Sequence, residues 1–215
     1  GRLTLAQAWA AVLAASVVFV VAAWQLNPLC GMLAPVALAW VFFYSFTKRF
    51  TAWSHHVLGL ALGIAPVGAY LALAGEWSEP WYALVALAAA VMGWVAGFDV
   101  IYSIQDVDFD REHGLHSLPA RLGVPRALRL ARGFHFASVV LFFLPWAFGW
   151  FDVGWLYLAG VVGMAAILHY EYTLVRGREA HELELDRIDR AFFRANVGVS
   201  TLFFAFVLLD RVLLR

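Results

Sequence analysis

Charge is what this chain has least of: Asp, Glu, Lys and Arg make up 14% of its 215 residues, while 63% are hydrophobic. Soluble domains carry roughly 25% charged and 45–50% apolar residues, so a water-soluble globule is excluded and an integral membrane protein is expected. The formal net charge is zero, which leaves no basic excess for a nucleic-acid partner. Cys30 is the single cysteine, which excludes an intrachain disulfide and a cysteine-built metal centre. A repeat of fixed period and an interdomain linker are missing as well, so residues 1–215 read as one domain. The opening Gly1-Arg2-Leu3-Thr4 has neither an initiator Met nor a signal-peptide pattern, and the natural chain is expected to begin earlier.

What is present is apolar sequence in span-length blocks. Seven stretches, near 5–24, 28–46, 57–74, 81–98, 131–149, 153–175 and 192–211, are each long enough to cross a hydrocarbon core about 30 Å thick. They predict an all-α, polytopic transmembrane bundle of about seven spans. Short breaks at Asn27-Pro28, Gly75 to Pro80 and Gly149 to Gly154 make neighbours antiparallel and hold no Lys or Arg. The longer connections, 47–56, 99–130 and 176–191, carry Lys48, Arg49, Arg111, Arg121, Arg126, Arg129, Arg176, Arg178, Arg187 and Arg190. The positive-inside rule then places these connections in the cytoplasm, with the N-terminus inside. Gly63, Pro66 and Gly68 in one span, and Pro35 and Pro145 in two others, either line a cavity or serve packing, the commoner use of such residues in membrane helices.

The acids that exist are concentrated where an apolar stretch ends, in Asp99-Val-Ile-Tyr102-Ser-Ile-Gln-Asp106-Val-Asp108-Phe-Asp110. At about 100° per residue, Asp99, Asp106 and Asp110 fall within roughly 40° of one helical face, with Tyr102 on the same side and Asp108 opposite. Carboxylates at a membrane helix cost about 2.5–3.5 kcal/mol each, so a row of them calls for a cation. A hard divalent ion such as Mg2+ supplies one, and bridges carboxylates to phosphate oxygens. Asp99, Asp106 and Asp110 are therefore the candidate metal ligands, and Tyr102 either donates a hydrogen bond to a diphosphate oxygen or packs at the membrane interface. A second element, Tyr44-Ser-Phe-Thr-Lys48-Arg49-Phe-Thr51, ends another span with adjacent cations suited to phosphate. His169-Tyr170-Glu171 and Asn196 with Ser200 either line a pocket or join helices by hydrogen bonds. His55, His56, His113 and His181 are placed in loops and His135 near a helix start; no spacing suggests zinc. The mixed-sign run from Gly177 to Arg190 reads as a solvated segment.

In these residues the sequence resembles the UbiA-type intramembrane aromatic prenyltransferases. Asp99-x-x-Tyr102-x-x-x-Asp106-x-x-x-Asp110 and the following Gly114-Leu-His-Ser-Leu-Pro-Ala-Arg-Leu-Gly123 are similar to that family's second aspartate-rich motif. Tyr44 to Thr51 is similar to its Tyr-x-x-x-Lys-Arg-x-Thr element. The resemblance is nearest to the 4-hydroxybenzoate-polyprenyltransferase-like branch of ubiquinone or menaquinone synthesis. It implies a Mg2+-dependent enzyme of a bacterial inner membrane with its site toward the cytoplasm. There Asp99, Asp106, Asp110 and Tyr102 would be catalytic, and Lys48, Arg49 and Tyr44 would hold the diphosphate. A polyprenyl diphosphate would be ionised and an aromatic acceptor would capture the cation, with Asn196, Glu171 and His116 as acceptor-pocket candidates. His116 stands where many relatives have Lys. The resemblance also implies nine spans and a first aspartate motif, so this chain looks like a member without its first two helices. The rival readings are a cation-coupled transporter or channel, and a non-catalytic family member.

Overall fold

Helix boundaries follow from local chemistry. The computed structural model describes residues 4–175 and 190–213; Arg176, Arg178, His181, Arg187 and most of the run from Gly177 lie outside the described residues. Helix α1 (Leu5–Leu26) starts at a reciprocal capping pair, in which Gln7 N–H donates to Thr4 Oγ1 and Thr4 N–H to Gln7 Oε1. Asn27 separates it from α2 (Pro28–Thr47): its Oδ1 caps Cys30 N–H, and Pro28 opens the helix where no N–H is required. The Asn27 amide also donates to Leu71 O at 2.9 Å, near the end of α3 (Ser54–Ala74). Next come α4 (Trp81–Tyr102), a 3-10 turn (Ser103–Asp106), and the short helices α5 (Val107–Glu112) and α6 (Leu118–Leu122). The chain is completed by α7 (Val124–Ala147), α8 (Trp155–Val175), a π turn (Arg190–Arg194) and α9 (Ala195–Leu213).

Seven of these helices are long and apolar enough to cross a membrane, and the chain is an integral membrane protein. Consecutive spans pack side by side and α8 packs on α9, while Trp9, Leu13, Val17, Phe136 and Phe204 stay exposed on the outside, where lipid is their solvent. The α3–α4 seam is close because Gly59 and Gly63 sit four residues apart on one face. A Cβ there would come 2.4 Å from Met92 O and 2.5 Å from Ala88 O, the small-residue contact typical of membrane helices. The packing reading of Gly63 holds, and neither Pro35, Pro66 nor Pro145 breaks its helix.

Two boundaries differ from the sequence reading. The third span begins at Ser54, which takes His55 and His56 out of a loop and into α3. The fifth begins at Val124 rather than 131, which puts His135 mid-helix. Arg126 and Arg129, which the sequence pattern assigns to a connection, are exposed at one helix end, where long cationic side chains reach out of the apolar layer.

Candidate functional site

The acid-bearing segment is held from beneath by its apolar partners. Val100, Ile101, Ile104 and Val107 are buried in a cluster with Ala52, Leu118, Val124, Ala127, Leu128, Ala131 and Val175. That leaves Asp99, Tyr102 and Asp106 on the other side of the same backbone. The backbone itself is not one continuous α-helix. Ser103 Oγ donates back to Val100 O at 2.9 Å, and residues 103–106 tighten to 3-10 geometry. Each 3-10 residue turns about 120° instead of 100°, so four of them rotate the later acids by about 80° relative to Asp99.

The expected single row therefore divides. Asp106 and Asp110 converge on Lys48, whose Nζ lies 3.7 Å from Asp106 Oδ2 and 3.4 and 3.3 Å from the two oxygens of Asp110. Asp110 is 1% exposed, Asp106 43% and Lys48 30%, so the trio opens to one side. Asp99 turns instead to His55, whose Nδ1 is 2.7 Å from Asp99 Oδ2. Among the described residues no group of three or more His, Cys, Asp or Glu is placed to hold a metal ion. Asp108 is exposed, as expected of the opposite face.

The cations divide too. Lys48 faces the acids, whereas Arg49 is exposed and its guanidinium lies over the Phe46 ring at 5.4 Å. Tyr44 is half-buried one turn earlier on α2, near enough to Asp99 for the carboxylate to act on its phenol electrostatically. The loop after α5 is drawn over this group. Gly114 adopts φ +63°, a turn that other residues resist, after which Leu115 N–H donates to Asp110 O and His116 N–H to Lys48 O, both at 2.7 Å. The His116 side chain is exposed.

Beside the acids, Trp94, Phe98 and Tyr102 recur every four residues along α4. With Phe192 they form a ladder of rings: Trp94–Phe98 at 5.9 Å, Phe98–Phe192 at 5.5 Å and Phe192–Tyr102 at 4.3 Å between centroids. A cavity of about 370 Å³ opens along it, lined by Phe98, Phe192, Phe193, Asn196, Val197, Ser200 and Thr201. Asn196 is positioned there by accepting from Trp94 Nε1–H at 3.0 Å and donating to Phe192 O. Glu171, the other acceptor-pocket candidate, is elsewhere. It is fully buried, its Oε2 is 3.4 Å from His135 Nδ1, and neither of its oxygens has a hydrogen-bond partner among the described residues. His135 bridges helices, donating through Nε2 to Trp94 O and accepting from Tyr172 OH, each at 3.0 Å.

The sequence pattern gives no role to His55, placed in a loop, or to Asp210. Asp210 lies at the far end of α9, buried, and accepts from the N–H groups of Gly154, Leu156 and Tyr157 at 2.7, 3.1 and 3.1 Å, capping α8. An acid inside an apolar span was itself the available signal. His55 had none, because its partner is 44 residues away.

Comparison with known proteins bears on this geometry. A family model described as the UbiA prenyltransferase family matches residues 1–197. The chain is 32% identical to a 4-hydroxybenzoate octaprenyltransferase of Cupriavidus metallidurans over 178 residues, 81% of this chain and 58% of that one. It is 31% identical to another from Shewanella woodyi over 157 residues, 72% and 52% of the two chains. The chain thus spans little more than half the length of these relatives. Among solved structures, the apo structure of a UbiA homolog from Aeropyrum pernix K1 superposes with a TM-score of 0.83 at 32% identity, over 99% of this chain and 75% of that one. A structure of digeranylgeranylglyceryl phosphate synthase, at 16% identity and a TM-score of 0.68, shares the fold.

Proposed function

The chain belongs to the UbiA prenyltransferase family, and from that premise we propose that it moves a polyprenyl group from its diphosphate to a small aromatic acceptor, of the 4-hydroxybenzoate or naphthoate kind, in quinone synthesis. The observation that carries the proposal is the convergence of Asp106, Asp110 and the Lys48 ammonium at one end of an aromatic ladder beside a cavity.

The donors fit a divalent ion. Two carboxylates already face one cation, the Lys48 ammonium within 3.7 Å of both, and Mg2+ typically takes one or two carboxylates together with phosphate oxygens and water. Asp106 and Asp110 would hold it, with Asp99 nearby. When bound, the ion supplies charge neutralisation for the departing diphosphate. Lys48, already hydrogen-bonded at that point, turns its ammonium to the diphosphate oxygens, and Tyr44 and Tyr102 add hydroxyl donors. Arg49 steers the anion from the rim. The Tyr102, Phe192 and Phe98 rings present π faces to the allylic cation, and the cavity at Asn196 receives the apolar tail or the acceptor ring. The basic connections support a cytoplasmic orientation of this end, in what we take to be a bacterial inner membrane. The transporter reading loses its ground, since a translocation site belongs near the midplane and these acids lie at one end of α4.

The test is transfer of a labelled polyprenyl diphosphate to 4-hydroxybenzoate by the full natural chain in membranes, with and without magnesium. Asp106→Ala and Asp110→Ala abolish transfer while thermal unfolding confirms a folded protein. Transfer that persists in both variants refutes the assignment. Diphosphate release without a prenylated product moves the acceptor to a naphthoate-type ring.

A further inference from the structure

His55 is fully buried one residue into α3 and touches two parts of the site at once. Its Nε2 lies 3.3 Å from Leu118 N, and a backbone N–H only donates, so Nε2 must accept. The ring proton is thereby placed on Nδ1, which donates to Asp99 Oδ2 at 2.7 Å. Sequence neighbours strengthen the arrangement. His116 N–H donates to Lys48 O, so the α2–α3 turn grips the loop after α5 at residues 116 and 118. Ser117 between them caps α6 through Ala120 N–H. Asp99 accepts from no other donor among the described residues.

We infer that His55 is a positioning residue: it fixes which oxygen Asp99 presents to the cation and diphosphate, and it couples that choice to the loop that covers Lys48. The inference rests on the prenyl-transfer reading of the site. Hydrogen-bonded partners behind a ligating group typically change metal affinity or activity by about 10–100-fold.

The two ring nitrogens have separate mimics, which makes the claim testable. His55→Asn keeps an N–H donor where Nδ1 stands and loses the acceptor for Leu118. His55→Gln keeps a polar atom where Nε2 stands and loses the bond to Asp99. In the full natural chain, His55→Gln is expected to lower kcat about tenfold or more, to leave the acceptor KM within about twofold, and to raise the magnesium concentration needed for a half-maximal shift in unfolding temperature about tenfold. His55→Asn is expected to melt earlier yet keep wild-type magnesium response and kcat within about threefold. Equal behaviour of the two variants in magnesium response overturns the inference, and so does a wild-type response in His55→Gln. If the wild-type chain transfers no prenyl group but the magnesium pattern separates Gln from Asn, the catalytic reading fails and the positioning role stands. Absence of any magnesium shift in the wild-type chain overturns both.

Discussion

Replacing Lys48 by Met exposes how the site neutralises its charge before substrate arrives. The Nζ is within 3.4 Å of both Asp110 oxygens, and Asp110 is 1% exposed. Unit charges about 3.3 Å apart attract by about 5 kcal/mol at an effective dielectric of 20, before desolvation is subtracted. Stranding one partner of a buried pair costs about 3–5 kcal/mol. The lysine is 30% exposed, so water and mobility bring the expected loss to about 2–3 kcal/mol. For a chain of this size that is about 5–10 °C in unfolding temperature. Asp106 loses its counter-charge in the same substitution, so the two carboxylates become a stronger cation site. Magnesium at 100 times its dissociation constant restores about 2.7 kcal/mol by mass action. Lys48→Met is therefore expected to melt early without magnesium and to recover most of the difference with it, while the wild-type chain, whose ammonium competes for the carboxylates, shifts less. The assay is thermal unfolding in detergent across a magnesium titration, with Asp110→Asn and the double variant completing a cycle. A loss below about 0.5 kcal/mol, or equal magnesium shifts in wild type and Lys48→Met, refutes the reasoning. Under the proposed function, transfer is expected to be lost in either case, because the same ammonium is assigned to the diphosphate.

Asp210→Ala removes a carboxylate that accepts three N–H groups, one buried and two part-buried; at about 1–3 kcal/mol for a stranded buried donor, with water repairing the others in part, a loss of about 3 kcal/mol is expected in unfolding, and kcat stays unchanged. A large kcat effect in folded Asp210→Ala protein would show that α8 and α9 transmit to the site. Gly63→Ala places a methyl 2.5 Å from the Ala88 carbonyl, and since backbone cannot swing aside it separates α3 from α4 at a cost of about 1–3 kcal/mol, seen as a lower unfolding temperature. Ser200→Trp fills the cavity beside Phe192 and Asn196, and is expected to reduce prenyl transfer at least about tenfold while leaving the unfolding temperature within about 2 °C; undiminished transfer would remove the cavity from the reaction.

Membrane residence and the seven span-length helices among the described residues were legible because each depends on local pattern. Twenty apolar residues have one stable way to satisfy their backbone in lipid, whatever surrounds them. Acids at the end of such a run are costly enough to imply a cation. Angular arithmetic along a presumed uniform helix went less far, since Ser103 tightened the turn and sent Asp99 and Asp106–Asp110 to different partners. Span edges at 54 and 124 were misplaced because flanking polar and cationic residues obscured helix that packing and snorkelling side chains retain.

The amino-acid sequence by itself determined a helical membrane protein, with seven span-length helices among the described residues and a concentration of acids at the end of one of them, because hydropathy and residue type are carried by each segment alone. Tertiary structure alone decided who meets whom. It gave Lys48, rather than Arg49, to Asp106 and Asp110, gave His55 to Asp99, set Asn196 in the cavity, and kept Glu171 and His116 out of it. Those pairings join residues tens of positions apart on helices whose rotation is fixed by close glycine contacts and buried seams, and no period along the chain records that rotation.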